Sequence, residues 1–324
     1  LATDTVNARH SRSALSAEDN SGPPHPEEGD LVQETSTVRH SQPVLKGLHG
    51  IDLAADQWEP PEPQGTVLLL HGGGQTRHSW ARTARRLAAW NWRTLALDTR
   101  GHGDSQWSPD RAYTLDGMVG DLLCAVDALD ERPVVIGASM GGRTALVAEG
   151  EHPGTTAGLV LVDIAPRLDP AGQARVRAFM NGAPNGFSSL EEAAAAVQAY
   201  NPRRPRPSNL EGMKKNMRLR EDGRWHWHWD PDFLSFTADP ANTSATRMVR
   251  AARRVVAPTL LVRGRHSDMV TREAAAELVE LIATARLVEV PAGHMIAGDD
   301  NDVFARELHT FLTRTDLRSD GLAG

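Results

Sequence analysis

Val134-Val135-Ile136-Gly137-Ala138-Ser139-Met140-Gly141-Gly142-Arg143-Thr144-Ala145-Leu146 is the stretch that decides how this 324-residue chain folds. Its three β-branched apolar residues read as a short buried strand, and Ala145, Leu146 and Ala148 continue at helical spacing. Between them a serine must sit on a sharp turn whose backbone is strained, so its neighbours have to be small. Gly137, Gly141 and Gly142 meet that demand. The helix that follows points its N–H groups back at the turn, so the amide of Met140 can donate to negative charge developing beside Ser139. The pentapeptide Gly137-Ala138-Ser139-Met140-Gly141 alone is weak evidence; a strand before it and a helix after it make it specific.

Working outward, short apolar runs alternate with helix-period segments from Leu45 onward. An opening antiparallel pair is expected within Leu48 to Trp58. Parallel strands are expected at Val67 to Leu70, Thr94 to Leu97, Val134 to Ile136, Leu159 to Val162, Thr259 to Val262 and Leu287 to Val290. Helices fall between them at Trp80 to Ala89, Leu115 to Leu129, Gly141 to Glu149, Arg272 to Ile282 and Val303 to Leu312. This is the pattern of an α/β fold, a mostly parallel central sheet flanked by helices.

The alternation stops over residues 167–254, which hold helical patterns and no core strand and read as an inserted helical lid. Trp225-His226-Trp227-His228-Trp229 lies there. In an extended segment its three indoles share one face, either packing the lid onto the core or walling the substrate. The domain reading is an arm without regular structure at 1–44, a core at 45–166 and 255–315, the lid, and a flexible tail at 316–324.

Composition narrows the partners. A formal net charge of -7 leaves no basic excess to hold a phosphate backbone, so nucleic acid is not expected. No apolar run reaches the ~18 residues of a membrane span. The single cysteine, Cys124, forbids an intrachain disulfide and fits a reducing, cytoplasmic setting. His226 and His228 stand two apart without a cysteine or carboxylate cluster, so no metal is expected. A small-molecule substrate is the expected partner; neither a monomer nor a homodimer is favoured.

A serine hydroxyl needs a base, and the base needs an acid to orient it, in the chain order Ser, acid, His. His294 follows the last strand in Pro291-Ala292-Gly293-His294-Met295, and Asp268 follows the strand before it in Arg263-Gly264-Arg265-His266-Ser267-Asp268. Ser139, Asp268 and His294 are therefore the expected triad, with Asp163, just past Val162, as the competing acid. His266 would break the order. A second oxyanion donor is expected in His71-Gly72-Gly73-Gly74, at the amide of Gly73 with Gly74 as the alternative. No Gly-Lys-Ser/Thr follows these glycines, so they are not a phosphate loop.

Together with Asp98-Thr99-Arg100-Gly101-His102-Gly103-Asp104-Ser105, these motifs resemble the α/β-hydrolase superfamily from about Leu45 to Leu312. The likeness is to its lidded, serine-nucleophile branch of cofactor-free haloperoxidases (perhydrolases), carboxylesterases, lactonases and carbon-carbon bond hydrolases. It implies an ester, thioester or lactone hydrolase without cofactor, with carbon-carbon bond hydrolysis or perhydrolysis as alternatives. It also implies that Asp98, Arg100 and His102 form a structural turn. Epoxide hydrolases and dehalogenases of this fold carry aspartate at the nucleophile position, where this chain has Ser139. A non-catalytic receptor on the same fold is the reading from another class, and an intact serine, acid and histidine weigh against it.

Overall fold

The computed structural model describes residues 37–202, 210–238, 241–242, 244–296 and 302–313. Most of the expected arm, Arg203, Arg204 and Arg206 of the lid, Asp299 and Asp300, and the tail lie outside them. The strands are β1 (Arg39–Ser41), β2 (Val44–Lys46), β3 (Asp52–Glu59), β4 (Thr66–Leu70), β5 (Arg93–Leu97), β6 (Val134–Ala138), β7 (Gly158–Val162), β8 (Met217–Leu219), β9 (Trp225–Trp227), β10 (Thr259–Gly264) and β11 (Ala285–Val290). The helices are α1 (Ala81–Ala89), α2 (Leu115–Asp127), α3 (Met140–Glu151), α4 (Pro170–Met180), α5 (Leu190–Tyr200), α6 (Leu234–Ala238), α7 (Ala245–Ala252), α8 (Arg272–Leu281) and α9 (Asp302–Leu312).

The main sheet runs β1-β3-β5-β4-β6-β7-β10-β11, with β2 paired to β3. From β5 to β11 every pairing is parallel, and β3 joins antiparallel. All six expected parallel strands form. The opening differs: residues 48–50 make a 3-10 turn, and β3 takes its antiparallel partners from β1 and β2. Regular structure thus begins before the boundary expected at residue 45, because the backbone edge of β3 takes its ladder partners from β1 and β2.

Alternation along the strands divides the core in two. Leu68, Leu70 and Val135 face one layer with Leu122 of α2, Leu146 of α3 and Met248 of α7. Val67, Leu69, Val134 and Ile136 face the other with Leu87 of α1 and Phe304, Leu308 and Phe311 of α9. Every residue of β4, β6 and β7 is buried, as central parallel strands require. Each fully buried Val, Leu or Ile contributes roughly 1.5 to 3 kcal/mol, so the strands that carry the site are also the most firmly held. Helix starts follow their caps: Thr114 accepts from the Gly117 amide, Ser189 from Glu192 and Thr271 from Ala274.

Between β7 and β10 lie α4, α5, the hairpin β8/β9, α6 and α7. Trp227 and Trp229 stack with ring centroids 5.0 Å apart and are buried beside Phe187. They pack the insertion onto the core, since neither borders the cleft described below. Among the described residues no helix is long and apolar enough to cross a membrane.

Candidate active site

Ser139 sits at the carboxyl end of β6 with φ 48° and ψ -110°, a strained turn in which the chain passes directly into α3. Glycine is obligatory around it. A Cβ on Gly137 would stand 2.5 Å from the carbonyl carbon of Gly141, and one on Gly141 would stand 2.6 Å from the carbonyl oxygen of Leu70. The Ser139 N–H donates to the carbonyl of Val162 at 3.0 Å, locking the turn to the neighbouring strand β7.

His294 follows β11, and its Nε2 lies 3.2 Å from Ser139 Oγ. Its Nδ1 donates to Asp163 Oδ2 at 2.6 Å, since an ionised carboxylate can only accept. Asp163 is fully buried and directly follows Val162 at φ 52°. It also accepts from the amide of Gly264 at 2.9 Å and the hydroxyl of Ser267 at 2.5 Å. A buried carboxylate held by three donors has its lone pairs aimed and its charge compensated.

Asp268, the acid preferred from the sequence, is elsewhere. Its carboxylate is paired with the guanidinium of Arg175 on α4, at the edge of the insertion. The physical reason is sheet order. β7 lies between β6 and β10, so an acid at the tip of β7 is beside the serine, whereas Asp268 is four residues past the end of β10. The Arg263–Asp268 loop serves through Ser267 and the Gly264 amide instead. Ser267 went unnoticed in the sequence because a loop serine carries no pattern of its own.

The glycine loop after β4 runs against the nucleophile: a Cβ on Gly72 would lie 3.4 Å from Ser139 Cβ. The amides of Gly73 and Met140 have no partner among the described residues, and both residues border the same cleft as Ser139 and His294. The Gly74 amide is taken, donating to His102 Nε2 at 3.1 Å, which removes Gly74 as the alternative donor.

Three buried histidines fix that loop. His71 Nδ1 donates to the Gly72 carbonyl at 2.8 Å while its Nε2 accepts from the Thr99 amide at 3.0 Å. His102 holds the Gly74 amide. His228, from the insertion, accepts from the Gly103 amide at 2.7 Å and donates to the Gly74 carbonyl at 3.4 Å. Each acts through a lone pair and so must be neutral. Burial accordingly pulls all three pKa values down, that of His228 to about 3. The remainder of the 98–105 segment is the structural turn implied by resemblance. Arg100 pairs with Asp121 through two bonds of 2.6 Å, and Asp98 takes the Arg77 amide, also at 2.6 Å.

The cleft over Ser139 has a cavity volume of about 150 Å³ and opens to solvent. Leu168, Phe179, Met180, Phe233, Phe236 and Met269 give it apolar walls, mostly from the insertion. Arg143, one helical turn beyond Ser139, also borders it, a residue to which the sequence reading gave no role.

The family model of the alpha/beta hydrolase fold matches residues 65–300. The chain is 28% identical to a 3-hydroxybutyrate-oligomer hydrolase of Cupriavidus necator over 76% of this chain and 88% of the relative. It is 29% identical to an esterase of Mycobacterium tuberculosis over 82% of this chain and 88% of that one. The crystal structure of an alpha/beta hydrolase from Novosphingobium aromaticivorans superposes with a TM-score of 0.72 at 26% identity, covering 85% of this chain and 99% of that chain. That of the M. tuberculosis esterase gives 0.65 at 26% identity, covering 86% and 92%. With a family match spanning most of its length and these relatives covered nearly end to end, the chain belongs to the alpha/beta-hydrolase fold family and is a serine hydrolase.

Proposed function

We propose that the protein is a carboxylic ester hydrolase in which Ser139 is the nucleophile, His294 the general base and Asp163 the residue that orients it. The observation that carries this reading is the run from Asp163 Oδ2 through His294 to Ser139 Oγ, at 2.6 and 3.2 Å, under an apolar cleft. Both relatives support an ester as substrate, one being named for 3-hydroxybutyrate oligomers and the other as an esterase.

With Nδ1–H bound to Asp163, His294 presents Nε2 as the base. It takes the proton of Ser139 as Oγ bonds to the ester carbon, and the carbonyl oxygen becomes an oxyanion between the Gly73 and Met140 amides. Collapse breaks the bond to the alcohol oxygen, which leaves with the proton from His294. Water, deprotonated by His294, attacks the acyl-serine, and the acid departs as Ser139 recovers its proton. The insertion over residues 167–254 serves as the lid that selects the substrate, and the single cysteine supports a cytoplasmic setting.

Fluorophosphonate labelling with p-nitrophenyl ester turnover tests this. The wild type labels at Ser139, while Ser139→Ala neither labels nor turns over; undiminished labelling of Ser139→Ala refutes the assignment.

A further inference from the structure

Arg143 is set where a cation has no structural reason to be. It lies one turn after Ser139 on α3, its N–H bonded to the Ser139 carbonyl at 2.9 Å. Ser139 is the N-cap of α3 and Arg143 stands in the first turn of that helix. The residue borders the cleft together with the nucleophile. Among the described residues only one of its side-chain donors is occupied, Nη1 donating to the carbonyl of Asn242 at 3.1 Å, and no carboxylate pairs with it. Most other arginines packed into this protein have an acid: Arg77 has Asp98, Arg100 has Asp121, Arg263 has Glu289, and Arg247 has Glu151. Burial without compensation pulls the Arg143 pKa down to about 10.

The whole cleft has the same bias. Arg177 stands at its exposed rim, and among the described residues none that borders it is an Asp or Glu, in a chain whose net charge is -7. A half-buried guanidinium with no acid among the described residues gains from an arriving counter-charge, and its planar fork suits a carboxylate.

We propose that Arg143 is the anion-recognition residue of this site, and that the substrate is an ester bearing a free carboxylate. The carboxylate sits about one helical turn from the scissile carbonyl while apolar parts of the ester contact Phe233, Phe236 and Met269. The proposal rests on the serine hydrolase reading, since Arg143 matters only if Ser139 is where the reaction occurs.

The test compares two series of matched pairs. p-Nitrophenyl hemisuccinate, hemiglutarate and hemiadipate, each against its methyl ester, carry the anion on the acyl side. 3-Butyryloxybutanoate and 4-butyryloxybutanoate, each against its methyl ester and followed by pH-stat, carry it on the alcohol side. In the wild type, kcat/KM for at least one free carboxylate exceeds that of its neutral partner tenfold or more. Arg143→Met collapses that ratio towards one, and Arg143→Lys, which keeps the charge, retains most of it. A wild-type ratio at or below one in every pair overturns the proposal without any variant having to fold. So does an Arg143→Met enzyme that loses activity on both partners equally, which marks a purely structural residue. Absent turnover of every ester together with no fluorophosphonate labelling of Ser139 overturns the serine reading instead, and this proposal falls with it.

Discussion

His228 makes a quantitative prediction about acid stability. Its imidazole is buried between the Gly103 amide and the Gly74 carbonyl, and burial holds its pKa at about 3 against an ordinary value of 6.5. A depressed histidine pKa means that between those two values the unfolded chain binds a proton that the folded chain refuses. Stability is complete above about 6.5 and lost as pH falls towards 3. At pH 5 the unfolded side chain gains RT ln(1 + 10^1.5), about 2 kcal/mol, while the folded one gains almost nothing. At pH 4 the loss is about 3 kcal/mol. His228→Asn keeps an acceptor near the Gly103 amide but cannot titrate. Urea unfolding of wild type and variant at pH 8 and pH 5, followed by the fluorescence of neighbouring Trp229, isolates the effect. Asparagine lowers stability at pH 8, yet its fall from pH 8 to pH 5 is smaller than that of the wild type by about 2 kcal/mol. An equal fall in both proteins refutes a buried neutral imidazole at 228.

Asp163→Asn removes the carboxylate that fixes the His294 tautomer and lowers kcat on p-nitrophenyl esters by about 10^4-fold. Asp268→Asn breaks only a partly exposed ion pair with Arg175, worth up to about 1 kcal/mol, and changes kcat/KM by less than about fivefold; a larger loss there than at Asp163 refutes the assignment of the acid. Gly141→Ala drives a Cβ to 2.6 Å from the Leu70 carbonyl oxygen in an all-buried strand, so it lowers stability by about 1 to 3 kcal/mol and slows fluorophosphonate labelling. Trp229→Ala empties the stack with Trp227 and lowers stability by about 3 to 5 kcal/mol, read as an earlier urea midpoint.

These residues separate by how far their partners lie along the chain. Ser139 was legible because its requirements are local: a strand, small neighbours and a helix within thirteen consecutive residues. His294 was legible from its place after the last strand. The acid was ambiguous because Asp163 and Asp268 both follow core strands in permitted order. What separates them is sheet order, which no local pattern carries. Gly73 and Gly74 pose the same problem one level down, since only the His102 bond tells the free amide from the bound one. His228 was beyond local reading altogether, as its partners Gly103 and Gly74 are 125 and 154 positions away. Alternation along Trp225 to Trp229 put the two histidines on one face, yet His226 turns to Asp222 and His228 enters the core. The insertion therefore covers the cleft and also holds the loop that carries the Gly73 amide. Its packing and the catalytic geometry are mechanically linked, so a substitution at His228 is expected to alter oxyanion stabilisation at Ser139 without touching the substrate.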